Sequence, residues 1–135
     1  MDNTRMEFQL KEKGMLAELT FGELAISSDE HHGFRPFQLM VASIAGCSGS
    51  VFRKILEKQR TDIRDLAITA EVERNPAESD RIERIHLLYT VKGRRLDPDK
   101  LHKNLALSRK NCSMIQSVKD SIHIEEKLNI IELSE

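Results

Sequence analysis

A chain of 135 residues is long enough to bury one core, and 39% hydrophobic with 32% charged residues is a globular balance carrying more charge than usual. Lysine and arginine (21) and aspartate and glutamate (22) cancel to a net charge of −1, so no basic field is present to recruit nucleic acid or anionic lipid. Aromatic residues supply only 4%, which leaves an aliphatic core, and the whole chain, 1–135, reads as a single domain.

The N-terminal stretch MDNTRMEFQL lacks the basic and continuously apolar regions of a secretory signal, and no uninterrupted apolar run approaches ~18 residues; the expectation is a cytoplasmic protein. Met6, Phe8 and Leu10 alternate with polar residues up to Gly14, and Met15, Ala17, Leu19 and Phe21 alternate again up to Gly22. This predicts two strands joined by a turn at KEKG, with Leu24 and Ile26 beginning a third. The polar segment SSDEHHGFR leads to Pro36, a residue suited to the first position of a helix, and the helix is expected from residue 36 to about 60. Its first half, with Phe37, Leu39, Met40, Val41, Ala42, Ile44, Ala45 and Cys47, is apolar around nearly the whole circumference. Its second half carries one stripe of Val51, Phe52, Ile55 and Leu56. A lone domain has few layers with which to wrap the first half, so a homodimer with this helix at or near the interface is predicted.

Strand periodicity returns at Leu66, Ile68, Ala70 and Val72 and at Ile85, Leu87, Tyr89 and Val91, separated by the turn-rich NPAESD. Asp97 and Pro98 form a cap and a first-turn proline for a helix running to about Arg109, with Leu101, Leu105 and Leu107 facing inward. Asn111 is expected to cap a short further helix, CSMIQSVKDS, and Ile122, Ile124, Leu128 and Ile130 give a closing strand. The order βββ-α-ββ-αα-β specifies an α+β fold with an antiparallel sheet and segregated helices.

The chain has two cysteines, too far apart in sequence for a paired-cysteine metal motif. Cys47 sits among the small residues Gly46, Ser48 and Gly49 in an otherwise bulky helix, and Cys112 follows Asn111 at a helix start, where backbone N–H groups favour a thiolate. Either thiol is equally compatible with packing. If the two meet, one could be oxidised to a sulfenic acid and the other close a disulfide on it. His31 and His32, adjacent in a polar loop, read as solvated, and His86, His102 and His123 occupy outward phases of their elements. No local ligand spacing suggests a metal, no cofactor is expected, and ERNPAESDRIER reads as a solvated connection.

Three stretches, Pro36 with the apolar helix to Cys47, "RIHLLYTVKGRRL", and "LALSRKNCSMIQSV" around Cys112, together resemble the superfamily of osmotically induced protein C and organic hydroperoxide resistance proteins, OsmC/Ohr. The likeness runs from about residue 15 onward, and "GCSGSVFRKILEKQR" and "LSRKNCS" look most similar to its YhfA-like branch. The resemblance implies an intertwined homodimer with central helices packed between the sheets. It also implies a thiol-dependent peroxidase for organic hydroperoxides, serving oxidative-stress defence, in which Cys47 attacks the peroxide and Cys112 resolves the sulfenic acid before a dithiol reduces the pair. Peroxidase members place a glutamate after the helix-starting proline to orient an arginine; here Phe37 and Gln38 stand there, and the cations near in sequence are Arg35 and the turn lysines Lys11 and Lys13. Arg35, Gln38 and Lys13 are therefore the candidate supporting residues. A non-catalytic dimer that binds an apolar small molecule or senses redox state is the alternative.

Overall fold

The computed structural model describes residues 4–134, which form two compact units divided between Met40 and Val41. In the first unit β1 (Phe8–Lys11), β2 (Gly14–Glu18) and β3 (Glu23–Ile26) make an antiparallel sheet in the order β1-β2-β3. The register sets Phe8 opposite Ala17, Leu10 opposite Met15, Met15 opposite Ile26 and Ala17 opposite Leu24, so these apolar residues share one face. The turn at KEKG is where periodicity places it. Helix α1 (Pro36–Lys58) starts at the end of this unit and continues into the second.

The second unit contains a sheet in the order β4-β5-β6, from β4 (Asp62–Asn75), β5 (Arg81–Arg94) and β6 (His123–Glu132), with α2 (Pro98–Asn111) and α3 (Ser113–Val118) in the connection from β5 to β6. β4 and β5 pair antiparallel, but β6 runs parallel to β5. The expected purely antiparallel sheet is corrected at this one pairing: the two helices between the strands carry the chain back to the starting end, as a parallel connection requires. Arg64 is the extra residue of a bulge in β4, which is why both Ile63 and Leu66 pack toward the core despite their odd spacing.

Ile85, Leu87, Tyr89 and Val91 of β5 are fully buried and meet Val41, Ile44, Phe52 and Leu56 of α1 and Leu101 and Leu105 of α2 in one core. The Phe52 and Tyr89 rings meet edge to face at 5.8 Å between centroids. Asp97 caps α2 as its sequence indicates, accepting from the N–H groups of Asp99 and Lys100. Leu107, expected to face inward, is 44% exposed; the inward positions of α2 are Leu101, Asn104, Leu105 and Ser108. Asn104 instead pairs with Gln59 through two side-chain hydrogen bonds of 2.9 and 2.8 Å, locking α2 to the end of α1.

By length and composition α1 would suffice to cross a membrane, because scattered serine and glycine interrupt its apolar runs without making it polar; its buried residues supply the core described above. Within Val41–Cys47 one side is covered, with Val41 and Ile44 buried while Ala42, Ser43 and Gly46 are exposed. A single sheet face covers a single side.

On the outward face of this sheet His86 lies between the carboxylates of Glu73 on β4 and Glu125 on β6, with Arg84 and His123 beside them. Glu73 foremost raises the His86 pKa, burial opposes it and Glu125 adds to the raising, while His86 foremost lowers the pKa of Glu125. The histidine's contribution to stability is thus complete below 6.5 and lost as pH rises through its raised value, while the glutamate's is lost as pH falls through its lowered value. Urea midpoints measured from about pH 6 to 9 should fall more steeply for the wild type than for His86→Gln. Parallel curves would show that the three-strand staple contributes nothing.

Candidate functional site

Helical phase sends Ser48 into the core and leaves Cys47 beside it at the rim, partly exposed. The glycines around it have separate reasons. A Cβ on Gly49 would stand 2.8 Å from Ile68 Cδ1, so its bareness lets α1 lie close on β4, whereas Gly46 faces open space.

Cys112 stands at an elbow. Asn111, expected to cap the next helix, instead completes α2 and donates its side-chain amide to the Leu107 carbonyl at 3.0 Å. The cap position of α3 belongs to Cys112 itself, whose extended backbone (φ −86°, ψ 106°) separates the two helices. Its carbonyl accepts from the Gln116 N–H at 3.0 Å, and the Gln116 side chain reaches back over the elbow to the Arg109 carbonyl at 3.0 Å. The Cys112 side chain is fully buried.

The elbow brings the two sulfurs together. The Ser113 hydroxyl lies 3.8 Å from the Cys47 sulfur, and the two thiols are near enough to displace each other's pKa in opposite directions. The backbone N–H of Met114 is the strongest influence on Cys47 and lowers its pKa; burial works against it, and Cys112 and Ser113 add to the lowering. Cys112 moves the other way, raised by burial first and further by the neighbouring Cys47, with the Ile115 N–H working against them. Of the two, Cys47 is the more readily ionised. In the reduced protein iodoacetamide should therefore alkylate Cys47 first, with a pH midpoint below that of a free cysteine. Peptide mapping that finds Cys112 modified first would contradict this geometry.

Lys13, Arg35 and Gln38 belong to the first unit. Lys13 lies at the β1–β2 turn beside a cavity of about 360 Å³ that Lys11, Met15 and His32 also line. The Arg35 guanidinium lies over the Phe37 ring, 4.8 Å from its centroid. Among the described residues no group of three or more His, Cys, Asp or Glu side chains is arranged to hold a metal ion.

Sequence reasoning missed a set of polar side chains inside the second unit. Ser48 bonds the Tyr89 phenol, Tyr89 bonds Glu126, and Arg109 bonds both Glu126 at 3.2 Å and the Ile124 carbonyl at 2.9 Å. Ser108 adds a bond to the Ser48 carbonyl at 3.2 Å. Burial and Glu126 hold the Tyr89 phenol protonated far above its ordinary range. The signal was a charged residue, Glu126, in phase with the core-facing Ile124, Leu128 and Ile130.

The family model of OsmC-like proteins matches residues 28–127, a span that includes both cysteines. The chain belongs to the OsmC-like family. Its fold matches that of a hypothetical protein from Aquifex aeolicus VF5 (TM-score 0.86, 24% identity, covering 99% of this chain and 100% of that one). An OsmC-like protein from Mycoplasma pneumoniae is similar at TM-score 0.82 and 15% identity, with 94% and 96% covered. The organic hydroperoxide resistance protein OhrB of Bacillus subtilis is similar at TM-score 0.63 and 14% identity, with 93% and 98% covered. At such identities the structural likeness speaks for the fold. No curated protein matches this OsmC-like chain.

Proposed function

We propose that this OsmC-like protein is a thiol-dependent peroxidase that reduces organic hydroperoxides in oxidative-stress defence, with Cys47 as nucleophile and Cys112 as resolving thiol. The observation that supports it is the approach of the α2–α3 elbow to Cys47, with the Ser113 hydroxyl 3.8 Å from its sulfur and the two thiols shifting each other's pKa, Cys47 downward and Cys112 upward. In this reading the Cys47 thiolate attacks the distal oxygen of ROOH, the O–O bond breaks, and RO⁻ leaves as ROH after protonation. Cys112 then attacks the sulfur of Cys47–SOH; the S–S bond forms, hydroxide leaves, and with the Cys112 proton it becomes water. An external dithiol is oxidised to its disulfide and returns both cysteines to thiols.

In the peroxidase pattern an arginine held by a glutamate stabilises the thiolate; the proposal assigns that task here to the N–H groups of Met114 and Ser113. Arg35, Gln38 and Lys13 enter only as supporting polar groups. The likeness to organic hydroperoxide resistance proteins supports the substrate class. The apolar face shared by Phe8, Leu10 and Met15, which are 49%, 81% and 37% exposed, supports a homodimer. A family match that runs across the Met40–Val41 division supports a single OsmC-like domain, and the two cysteine stretches are the basis for the YhfA-like branch.

One equivalent of cumene hydroperoxide should leave the reduced protein lighter by two hydrogens, and tryptic mapping should recover a Cys47–Cys112 cross-link. Catalytic consumption of the hydroperoxide should then need only an added dithiol. A protein that keeps both thiols under this treatment is not a peroxidase, and a co-purifying apolar ligand seen by native mass spectrometry would instead assign it a binding role.

A further inference from the structure

Besides the Asn104–Gln59 pair, one line of polar groups enters the largely apolar core of the second unit, and that line ends at the two helical segments that carry the thiols. The Glu126 side chain on β6 is 7% exposed. Its Oε2 accepts from the Tyr89 hydroxyl; a phenol has one proton to give, so the Ser48 hydroxyl must be the donor in its bond to Tyr89. Its Oε1 accepts from Arg109. Ser48 is the residue after Cys47, and the Arg109 carbonyl takes the Cys112 N–H at 3.4 Å together with the Gln116 amide.

We infer that Glu126 is the positioning residue of the thiol pair, one carboxylate oxygen tying down the turn of α1 that bears Cys47 and the other the α2–α3 elbow that bears Cys112. A hydrophobic side chain would fill this place without desolvating a charge, so packing alone gives no reason for a carboxylate. What the ion pair and its hydrogen bonds add is direction, because one oxygen accepts from Tyr89 of β5, which in turn holds Ser48 of α1, and the other accepts from Arg109 of α2. The elbow also supplies the Ser113 and Met114 N–H groups at the Cys47 sulfur, so a loosened elbow loses the donors and the second thiol together. The rate readout below rests on the peroxidase reading; the alkylation readout does not.

Glu126→Gln keeps the shape of the side chain but removes the charge that holds Arg109, and its amide can meet Tyr89 only with the Tyr89–Ser48 donor order reversed, so both ties are weakened. Tyr89→Phe removes only the tie to Ser48 and fills nearly the same volume. Both variants are compared with Leu56→Ala, which opens the core at a fully buried residue outside the polar line. In the reduced proteins the pH profile of Cys47 alkylation is measured with iodoacetamide; in a second assay, closure of the disulfide after one equivalent of cumene hydroperoxide is timed. Glu126→Gln and Tyr89→Phe should move the alkylation profile to higher pH and slow closure at least about tenfold, with Leu56→Ala unchanged in both. Wild-type behaviour in the two polar variants overturns the inference, as does an equal shift in Leu56→Ala. Should Glu126→Gln fail to fold, Tyr89→Phe decides alone. A wild type that ignores hydroperoxide while the profiles still shift removes the peroxidase reading and leaves the positioning role intact.

Discussion

Cys47→Ser should lower dithiol-dependent hydroperoxide consumption to the rate of the reagents alone, a loss of about a thousandfold or more, because it removes the proposed nucleophile. Cys112→Ser should behave differently. It retains Cys47 with the Met114 and Ser113 donors, so it should consume one equivalent and stop at a sulfenic acid that dimedone traps. Steady turnover should be lost in both variants and the first equivalent in only one. This asymmetry follows from the proposed roles, which rest on the pair's opposed pKa displacements: the sulfur whose pKa is lowered would be the nucleophile, and the one that burial keeps as a thiol would await the sulfenic acid. The reverse pattern, with Cys47→Ser still consuming an equivalent, would exchange the two roles.

Phe52→Ala should cost about 4 kcal/mol of unfolding free energy, read as a lowered urea midpoint, and roughly 15 °C in melting temperature. Phe52 is fully buried on α1 and rests edge to face on Tyr89, in a chain with only five phenylalanines and one tyrosine. Its removal leaves a cavity that neighbouring aliphatic side chains cannot fill without shifting β5. Against the ~5–15 kcal/mol typical of a domain, the loss is a large share of the total. A cost below about 1 kcal/mol would mean that the site collapses freely and that the core is not centred on this ring pair.

The elements of the fold were legible in the sequence because each follows a simple period. Alternation at Phe8 to Leu10 and Met15 to Ala17 gives the first hairpin, and Asp97 followed by Pro98 marks the start of α2. What periodicity cannot supply is direction and partnership. The inward residues of β6 repeat every second position whether the strand runs with β5 or against it, so the parallel pairing was invisible. Asn111 and Cys112 compete for the cap between α2 and α3; asparagine is the usual choice, but here its amide serves the preceding turn, and the cysteine takes the break. That both thiols belong to helical segments was readable, whereas their meeting depends on an elbow angle that no spacing encodes. Glu126 had a visible anomaly, a charge on the core-facing phase of a strand, yet its partners Tyr89 and Arg109 come from other elements.

The parallel pairing of β6 with β5 also bears on when the protein matures. Synthesis delivers Cys47, then Tyr89, then Arg109 and Cys112, and only afterwards the strand with Glu126, whose docking joins segments far apart along the polypeptide. A nascent chain therefore carries both sulfurs before the strand with Glu126 has arrived, and under the proposed reading oxidative cross-linking would become efficient only once that last edge has zipped into place.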